Sequence, residues 1–194
     1  IYTSREYPNL IVVDKINGGS KADALNAGLN ISKYPLFCAV DCDSLLEKDA
    51  LLKVVRPFLE DPERTVAAGG IIRLSNGCSI TGGQVTHVEL PRNFLARFQI
   101  IEYLRAFLGG RIGMGMMKSI LIISGAFGLF RIDIALECGG YRTAAIGEDM
   151  DLVVRMRKFL YDKKVPHQVR FIPDPICWTE APESFASLAK QRNR

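Results

Sequence analysis

The sequence predicts an α/β fold, with a mainly parallel central sheet covered by helices. The chain has 194 residues, of which 48% are hydrophobic and 24% are charged. This size and composition are typical of one globular domain with a sizeable core. Apolar stretches of strand length alternate with segments whose apolar residues recur at helical spacing, an order that favours a mainly parallel sheet. We therefore treat residues 1–194 as a single domain.

The first half of the chain predicts three strands, two helices and a hairpin. We expect strands in "NLIVVDK", which should be short and buried, in "PLFCAV" and in "TVAAGGIIRL". "KADALNAGLNIS" predicts a short helix that begins near Ser20 or Lys21. "KDALLKVVRPFLED" has helical spacing, and we expect Pro57 to kink or end that helix. "SNGCSITGG" is typical of a turn or hairpin.

The second half predicts four helices and two strands. The longest helical pattern is "NFLARFQIIEYLRAFLGGRI", whose apolar stripe is typical either of a core helix or of a helix lying at an interface. The glycine-rich "GGRIGMGMMKS" predicts a mobile segment, and "ILIISGAFGLFR" predicts a strand. "IDIALECGGY", "GEDMDLVVRMRKFLYD" and "SFASLAKQRNR" predict helices, with a strand in "VRFIPDPICWTEAP" before the last of them.

Composition argues against several classes of protein. The net charge is +4, and the basic residues form no run interleaved with aromatic ones, so we expect no nucleic-acid partner. The five cysteines are scattered and far from His87 and His167, which argues against a disulfide framework or a zinc site. The most apolar segment, "SILIISGAFGLF", is too short to cross a bilayer. Because the chain starts at Ile1 rather than at Met, we expect it to be part of a longer protein.

Asp41 and Asp43 follow the predicted strand "LFCAV" and are candidate metal ligands. Ligands of α/β sheets bind beyond the carboxyl ends of strands, and residues two apart in extended chain point the same way. Neighbouring carboxylates disfavour each other's ionisation unless a cation lies close by. Magnesium and manganese are commonly held by one or two carboxylates together with substrate phosphates. The alternative is an acidic turn in which one aspartate caps the next helix.

A second acidic cluster, "GEDMDL", contains Glu148, Asp149 and Asp151 in the first turn of a predicted helix. The helix dipole stabilises carboxylates at this position, so an ordinary helix start is one interpretation. The functional interpretation is a general base that the helix N-terminus keeps ionised.

Two basic segments are candidate phosphate contacts. "KQRNR" carries Lys190, Arg192 and Arg194, which either form a solvated helix face or neutralise charge on a leaving group. "GGSKADALNAG" places Lys21 between a glycine turn and a helix start, a weak pattern for a phosphate-binding loop.

The order of these segments resembles the catalytic core of processive family 2 glycosyltransferases, the group of cellulose, chitin, hyaluronan and poly-N-acetylglucosamine synthases. "KADALNAG", "DCDS", "SGAFGLFR", "GEDMDL" and "QRNR" follow one another in that family's order, and the resemblance covers nearly the whole chain. It implies a GT-A-type nucleotide-sugar-binding fold. The family's first strand, its uridine-binding aspartates and the tryptophan of its Q-x-x-R-W motif have no counterpart here, so we expect the N-terminal strands to be missing.

The resemblance also implies roles for individual residues. Asp149, with Glu148 beside it, corresponds to the catalytic base, and Asp41 and Asp43 correspond to the family's D-x-D motif at the diphosphate and its divalent metal, Mg²⁺ or Mn²⁺. Lys21 and Arg194 are implied to bind the nucleotide sugar. The implied acceptor-binding residues are Ser124, Gly125, Gln191 and Arg192.

The implied function is inverting, metal-dependent transfer of a sugar from a UDP-sugar to the hydroxyl of a growing polysaccharide. Two alternatives stay open at this point. One is a non-processive family 2 transferase that acts on a lipid phosphate or an oligosaccharide. The other is an inactive or binding-only fragment. In the family, flanking transmembrane segments hold the domain at the cytoplasmic face of the membrane, so we expect membrane contact through segments outside this chain and a soluble domain.

Overall fold

The computed structural model describes residues 1–193, and the predicted diphosphate contact Arg194 lies outside them. The strands are β1 (Tyr2–Thr3), β2 (Ile11–Val12), β3 (Leu36–Val40), β4 (Leu45–Leu46), β5 (Thr65–Leu74), β6 (Ser79–Thr81), β7 (Gln84–His87), β8 (Phe127–Arg131) and β9 (Gln168–Thr179). The α-helices are α1 (Lys21–Ile31), α2 (Ala50–Glu60), α3 (Phe94–Leu104), α4 (Ile112–Met116), α5 (Ile132–Glu137), α6 (Glu148–Asp162) and α7 (Phe185–Arg192). A π-helix, Arg105–Arg111, joins α3 to α4.

The central sheet has five strands in the order β3-β8-β5-β9-β4. The α/β class is confirmed, but the prediction of a mainly parallel sheet is wrong. Among residues 1–193, only β5 and β9 pair in parallel, whereas β3 with β8, β5 with β8, and β4 with β9 are antiparallel. Hydrophobic periodicity predicts where strands lie but not their direction, which depends on the end of the sheet at which each connection returns.

Two buried clusters hold helices against this sheet. One cluster joins α1, α5 and α6 to the sheet, and the apolar face of α6 lies in it, with Leu152, Val153 and Met156 fully buried. The other cluster joins α2 and the π-helix to β5, β8 and β9 through residues such as Phe107 and Phe127. These clusters fix the ends of β3, β8 and α6, where the predicted site residues lie.

Local chemistry explains where the helices begin. Ser20 caps α1, since its side chain accepts a hydrogen bond from the Asp23 amide, which confirms the predicted start. Asn93 caps α3 in the same way. Gly147, with φ of 81°, precedes α6 in the left-handed conformation that favours glycine.

Some local predictions were wrong. Strand β2 has only two residues, and Ile11 and Val12 are 41% and 51% exposed, because β2 pairs with β1 alone and lies outside the central sheet. The glycine-rich segment is helical, since the π-helix and α4 extend through it. Helix α2, in contrast, ends at Glu60 within one turn of Pro57, which agrees with the prediction that the proline kinks or ends it.

Within residues 1–193, no helix combines the length and the apolar character that crossing a bilayer requires.

Candidate active site

Asp41 and Asp43 lie in a turn directly after β3. The Asp41 amide donates to the Ala126 carbonyl at 3.2 Å, and the Ser44 amide donates to the Asp41 carbonyl at 3.1 Å. The predicted extended conformation is therefore wrong, because the chain forms a turn at Cys42 and Asp43. Both carboxylates are accessible to solvent.

Lys21 supplies the positive charge that the acidic cluster needs. As the first residue of α1, it forms an ion pair with Asp41 Oδ1, and its Nζ lies 3.7 Å from Glu148 Oε1. Its Nζ also donates to the Gly125 carbonyl at 2.9 Å. Lys21 therefore connects the turn after β3, the segment before β8 and the start of α6.

Asp149 is bound to the same glycine. Its Oδ2 accepts a hydrogen bond from the Gly125 amide at 3.0 Å, and its Oδ1 accepts one from the Met150 amide at 2.8 Å. A Cβ on Gly125 would lie 3.1 Å from Lys21 Nζ and 3.5 Å from Asp149 Oδ2. Since Lys21 and Asp149 bind the carbonyl and the amide of one residue, five predicted residues meet here: Lys21, Asp41, Gly125, Glu148 and Asp149.

The other predicted residues lie around this centre. Ser124 precedes Gly125, and its carbonyl accepts a hydrogen bond from the Phe127 amide at 3.2 Å. Asp43 and Gln191 line one open pocket of about 360 Å³ between the turn after β3 and α7. Arg192 Nη2 donates to Glu102 Oε2 on α3 at 2.6 Å, and its acceptor-binding role stays a prediction. Its guanidinium is therefore engaged by α3.

The charges of the site act on the pKa values of two residues that the sequence did not indicate, Arg111 and Tyr103. Burial lowers the pKa of Arg111, at the end of the π-helix, and the charge of Asp149 opposes that shift. Burial raises the pKa of Tyr103 on α3, and the charges of Asp41 and Asp43 act in the same direction. Arg111 lay in a segment predicted to be mobile, and Tyr103 lay in the longest predicted helix, outside its apolar stripe. Neither residue had a sequence pattern that would have distinguished it.

The acidic residues of the site could supply some, but not all, of the ligands of a divalent cation. Among residues 1–193, no group of three or more His, Cys, Asp or Glu side chains is arranged to hold a metal ion. Asp41 and Asp43 offer accessible carboxylate oxygens, the donor type that Mg²⁺ and Mn²⁺ prefer. The protein would therefore supply one or two ligands, and substrate phosphates and water would supply the rest.

An α/β domain with a mixed sheet, and with a lysine and carboxylates gathered at the end of β3, defines a candidate active site of an α/β enzyme. The profile of the family described as "Glycosyltransferase like family 2" matches residues 3–194. This chain therefore belongs to glycosyltransferase family 2, which confirms the resemblance drawn from the sequence motifs.

Curated relatives match the whole chain at moderate identity. The chain is 27% identical over 194 residues to a poly-beta-1,6-N-acetyl-D-glucosamine synthase of Staphylococcus aureus, covering 100% of this chain and 42% of the relative. It is 28% identical over 195 residues to the synthase of the same name from Staphylococcus epidermidis, with the same coverage. The chain thus spans less than half the length of these relatives.

A solved structure shares the fold. The mannosyltransferase PcManGT of Pyrobaculum calidifontis, in complex with GDP-Man and Mn²⁺, superposes with a TM-score of 0.62 at 19% identity. The match covers 97% of this chain and 44% of that one. It confirms a GT-A-like α/β glycosyltransferase fold.

Proposed function

We propose that this chain is the catalytic domain of an inverting polysaccharide synthase that transfers a sugar from a UDP-sugar to a growing polymer. Family membership supports sugar transfer, and the names of the staphylococcal relatives favour a polysaccharide product and an N-acetylglucosamine donor. Placement at the cytoplasmic face of a membrane stays a prediction of the resemblance.

The observation that carries the proposal is the convergence of Lys21 and Asp149 on Gly125. Sugar transfer needs a cation near the diphosphate and a base near the acceptor hydroxyl, within about one sugar length of each other. Lys21 binds the Gly125 carbonyl and Asp149 binds its amide, so a cation and a carboxylate flank the same residue.

In the proposed mechanism, Asp149 is the general base. Its carboxylate, at the N-terminus of α6, accepts the proton of the acceptor hydroxyl as that oxygen attacks the anomeric carbon. Lys21 moves from Asp41 toward the departing diphosphate and neutralises part of its charge. Ser124 and Gly125 line the acceptor side, and Gln191 borders the pocket that also contains Asp43.

A bound Mg²⁺ or Mn²⁺ would supply Lewis-acid stabilisation of the leaving diphosphate. Asp43 and Asp41 would hold it. The PcManGT complex, which contains Mn²⁺ and a nucleotide sugar, supports this assignment by analogy of fold.

The test is the substitution Asp149→Asn. Because the amide cannot accept the acceptor proton, we expect the transfer rate to fall by about 10²- to 10⁴-fold. The Kd for UDP in the presence of Mn²⁺, measured by calorimetry, should change little, since the proposed diphosphate contacts remain. Sugar transfer is measured with radiolabelled UDP-N-acetylglucosamine.

The matched control is Asp162→Asn in the last turn of the same helix, where the carboxylate pairs with Lys158 at the surface. This variant should transfer sugar at the wild-type rate. Wild-type turnover by Asp149→Asn would contradict the proposed mechanism.

A further inference from the structure

The chain that leads into Gly125 is held by contacts with other elements. Residues 119–124 belong to no helix or strand, yet Ile120 and Ile123 are only 0% and 1% exposed. Both isoleucines pack in the buried cluster that contains the apolar face of α6. We call residues 118–125 the approach segment. Because it has no regular ladder of backbone hydrogen bonds, its position depends on what its neighbours bind.

The central sheet fixes the middle of the approach segment. A Cβ on Gly69 of β5 would lie 2.8 Å from Ile123 Cγ2, and a Cβ on Gly128 of β8 would lie 2.5 Å from the same atom. Side chains at these two positions would therefore force the isoleucine to shift. The glycines thus let Ile123 pack directly on the backbone of two central strands.

Arg157 of α6 fixes the beginning of the approach segment. Its Nη1 donates to the Ile120 carbonyl at 3.0 Å, and its Nη2 donates to the Lys118 carbonyl at 3.1 Å. Hydrogen bonds from a charged donor are stronger than those between neutral groups, and Arg157 is half-buried. The guanidinium is planar and rigid, so it holds the two carbonyls in a fixed relation to each other.

One of these carbonyls belongs to a residue with a strained backbone. Lys118 has φ of 53°, in the left-handed region that residues other than glycine seldom adopt. Such a conformation persists only where surrounding contacts fix it. The Lys118 amide donates to the Gly115 carbonyl at 3.1 Å, and Arg157 binds the Lys118 carbonyl, so both of its backbone groups are held.

Helix α6 therefore binds the approach segment at both ends. Arg157 binds its first residues, and Asp149, about two turns earlier in the same helix, accepts a hydrogen bond from the Gly125 amide at 3.0 Å. With Ile123 fixed between these points, a displacement at the Arg157 end is transmitted along the chain to Gly125.

We propose that Arg157 is a positioning residue for sugar transfer. By fixing the start of the approach segment, it holds Gly125 where Lys21 binds its carbonyl and Asp149 binds its amide. Arg157 thus acts through Gly125 rather than on the substrate. This inference rests on the proposed function, since it concerns the same site.

The experiment compares Arg157→Gln and Arg157→Lys with two controls. Lys158→Gln removes the neighbouring exposed charge on α6, which pairs with Asp162. Thr65→Val removes a buried hydrogen bond to the Pro57 carbonyl, at the end of the sheet opposite the proposed site. The second control lowers stability without changing a contact of the approach segment.

Two kinds of measurement are made on each protein. Hydrogen exchange followed by NMR gives the exchange rate of the Gly125 amide. Transfer from UDP-N-acetylglucosamine to a β-1,6-linked pentasaccharide gives kcat, and calorimetry gives the Kd for UDP with Mn²⁺. We expect Arg157→Gln to exchange the Gly125 amide at least about tenfold faster. Its kcat should fall at least about tenfold, because small misplacements of catalytic groups are costly, while the UDP Kd stays within about threefold.

Arg157→Lys can bind only one of the two carbonyls at a time, so its exchange rate and kcat should lie between those of Arg157→Gln and wild type. Both controls should keep the wild-type kcat. Circular dichroism melting checks folding, and if Arg157→Gln does not fold, Arg157→Lys decides through the same measurements.

The other outcomes would contradict the inference. Unchanged exchange of the Gly125 amide in Arg157→Gln would overturn it and leave the proposed function standing. Faster exchange with a wild-type kcat would overturn it too, because the position of Gly125 would then not matter for transfer. An equal fall of kcat in Thr65→Val would reduce the effect to a loss of stability. No transfer by wild type would overturn the proposed function and, with it, the role of Arg157 in transfer; that failure is recognised because every variant is then inactive.

Discussion

Gly125 is the residue at which the site is assembled, because its two backbone groups bind side chains from two different helices. Its lack of a side chain leaves room for that arrangement. A Cβ would stand 3.1 Å from Lys21 Nζ, closer than most Cβ contacts in proteins. The neighbouring atom is the far end of a flexible side chain, so the lysine can move away.

We therefore predict that Gly125→Ala reduces activity more than stability. The displaced ammonium should lower the sugar-transfer rate by at least about tenfold, since small misplacements of catalytic groups are costly. The free energy of unfolding should change by less than about 1 kcal/mol, the usual range for a substitution that creates no cavity or buried charge. Transfer assays and urea denaturation measure the two quantities.

The control is Gly113→Ala in α4, where a Cβ would meet no heavy atom within 4 Å. Normal transfer by Gly125→Ala would show that the position of Lys21 does not matter.

At the scale of elements, the side chain of Asn26 on α1 hydrogen-bonds to the loop between α5 and α6. Asn26 Nδ2 donates to the Tyr141 carbonyl at 2.7 Å, and its Oδ1 accepts from the Tyr141 amide at 2.8 Å. Tyr141 is only 4% exposed, so water cannot easily replace these bonds. The contact links the helix that begins at Lys21 to the loop that leads to Glu148 and Asp149.

We predict that Asn26→Ala lowers the free energy of unfolding by about 2–3 kcal/mol, because it leaves two buried backbone groups without partners. Urea denaturation followed by circular dichroism measures this change. Asn30→Ala, at an exposed position of the same helix, is the matched control. Equal stability of the two variants would contradict the proposal that Asn26 stabilises the contact between α1 and this loop.

At the scale of the whole molecule, the packing of the sheet determines how reactive each cysteine thiol is. Burial raises the pKa of Cys38 to about 12 and that of Cys177 to about 11. Both thiols are therefore protonated at pH 8 in the folded protein, whereas Cys42 lies exposed in the turn beside Asp41. The thiolate is the reactive form, so the fold should set the order in which the cysteines react.

We predict that iodoacetamide at pH 8 modifies Cys42 in the folded protein, and modifies Cys38 and Cys177 only after denaturation. Peptide mass spectrometry measures the order. In the unfolded chain the two buried thiols regain an ordinary pKa near 8.5. The stability linked to them is complete below that pH and is lost as the pH rises toward 11 or 12. Rapid labelling of Cys177 in the folded state would contradict the described packing.

The sequence alone determined the class of fold, most helices and the family. Ser20 before "KADALNAG" and the apolar face of "GEDMDLVVRMRKFLYD" gave correct helices, because capping and periodicity act within a few residues. The order of motifs indicated family 2, and Lys21, Asp41, Gly125, Glu148 and Asp149 do lie together. Their chemical roles, and that of Arg194 outside the described residues, stay predictions.

Only the tertiary structure decided the direction of the strands, the turn at Asp41 and the pairing of Arg192. Strand direction depends on connections between distant residues, as when β8 inserts between β3 and β5. Arg192 pairs with Glu102 because α3 and α7 meet. Local patterns determine local conformation, whereas the partners of a charged side chain are fixed by the packing of elements far apart in the chain.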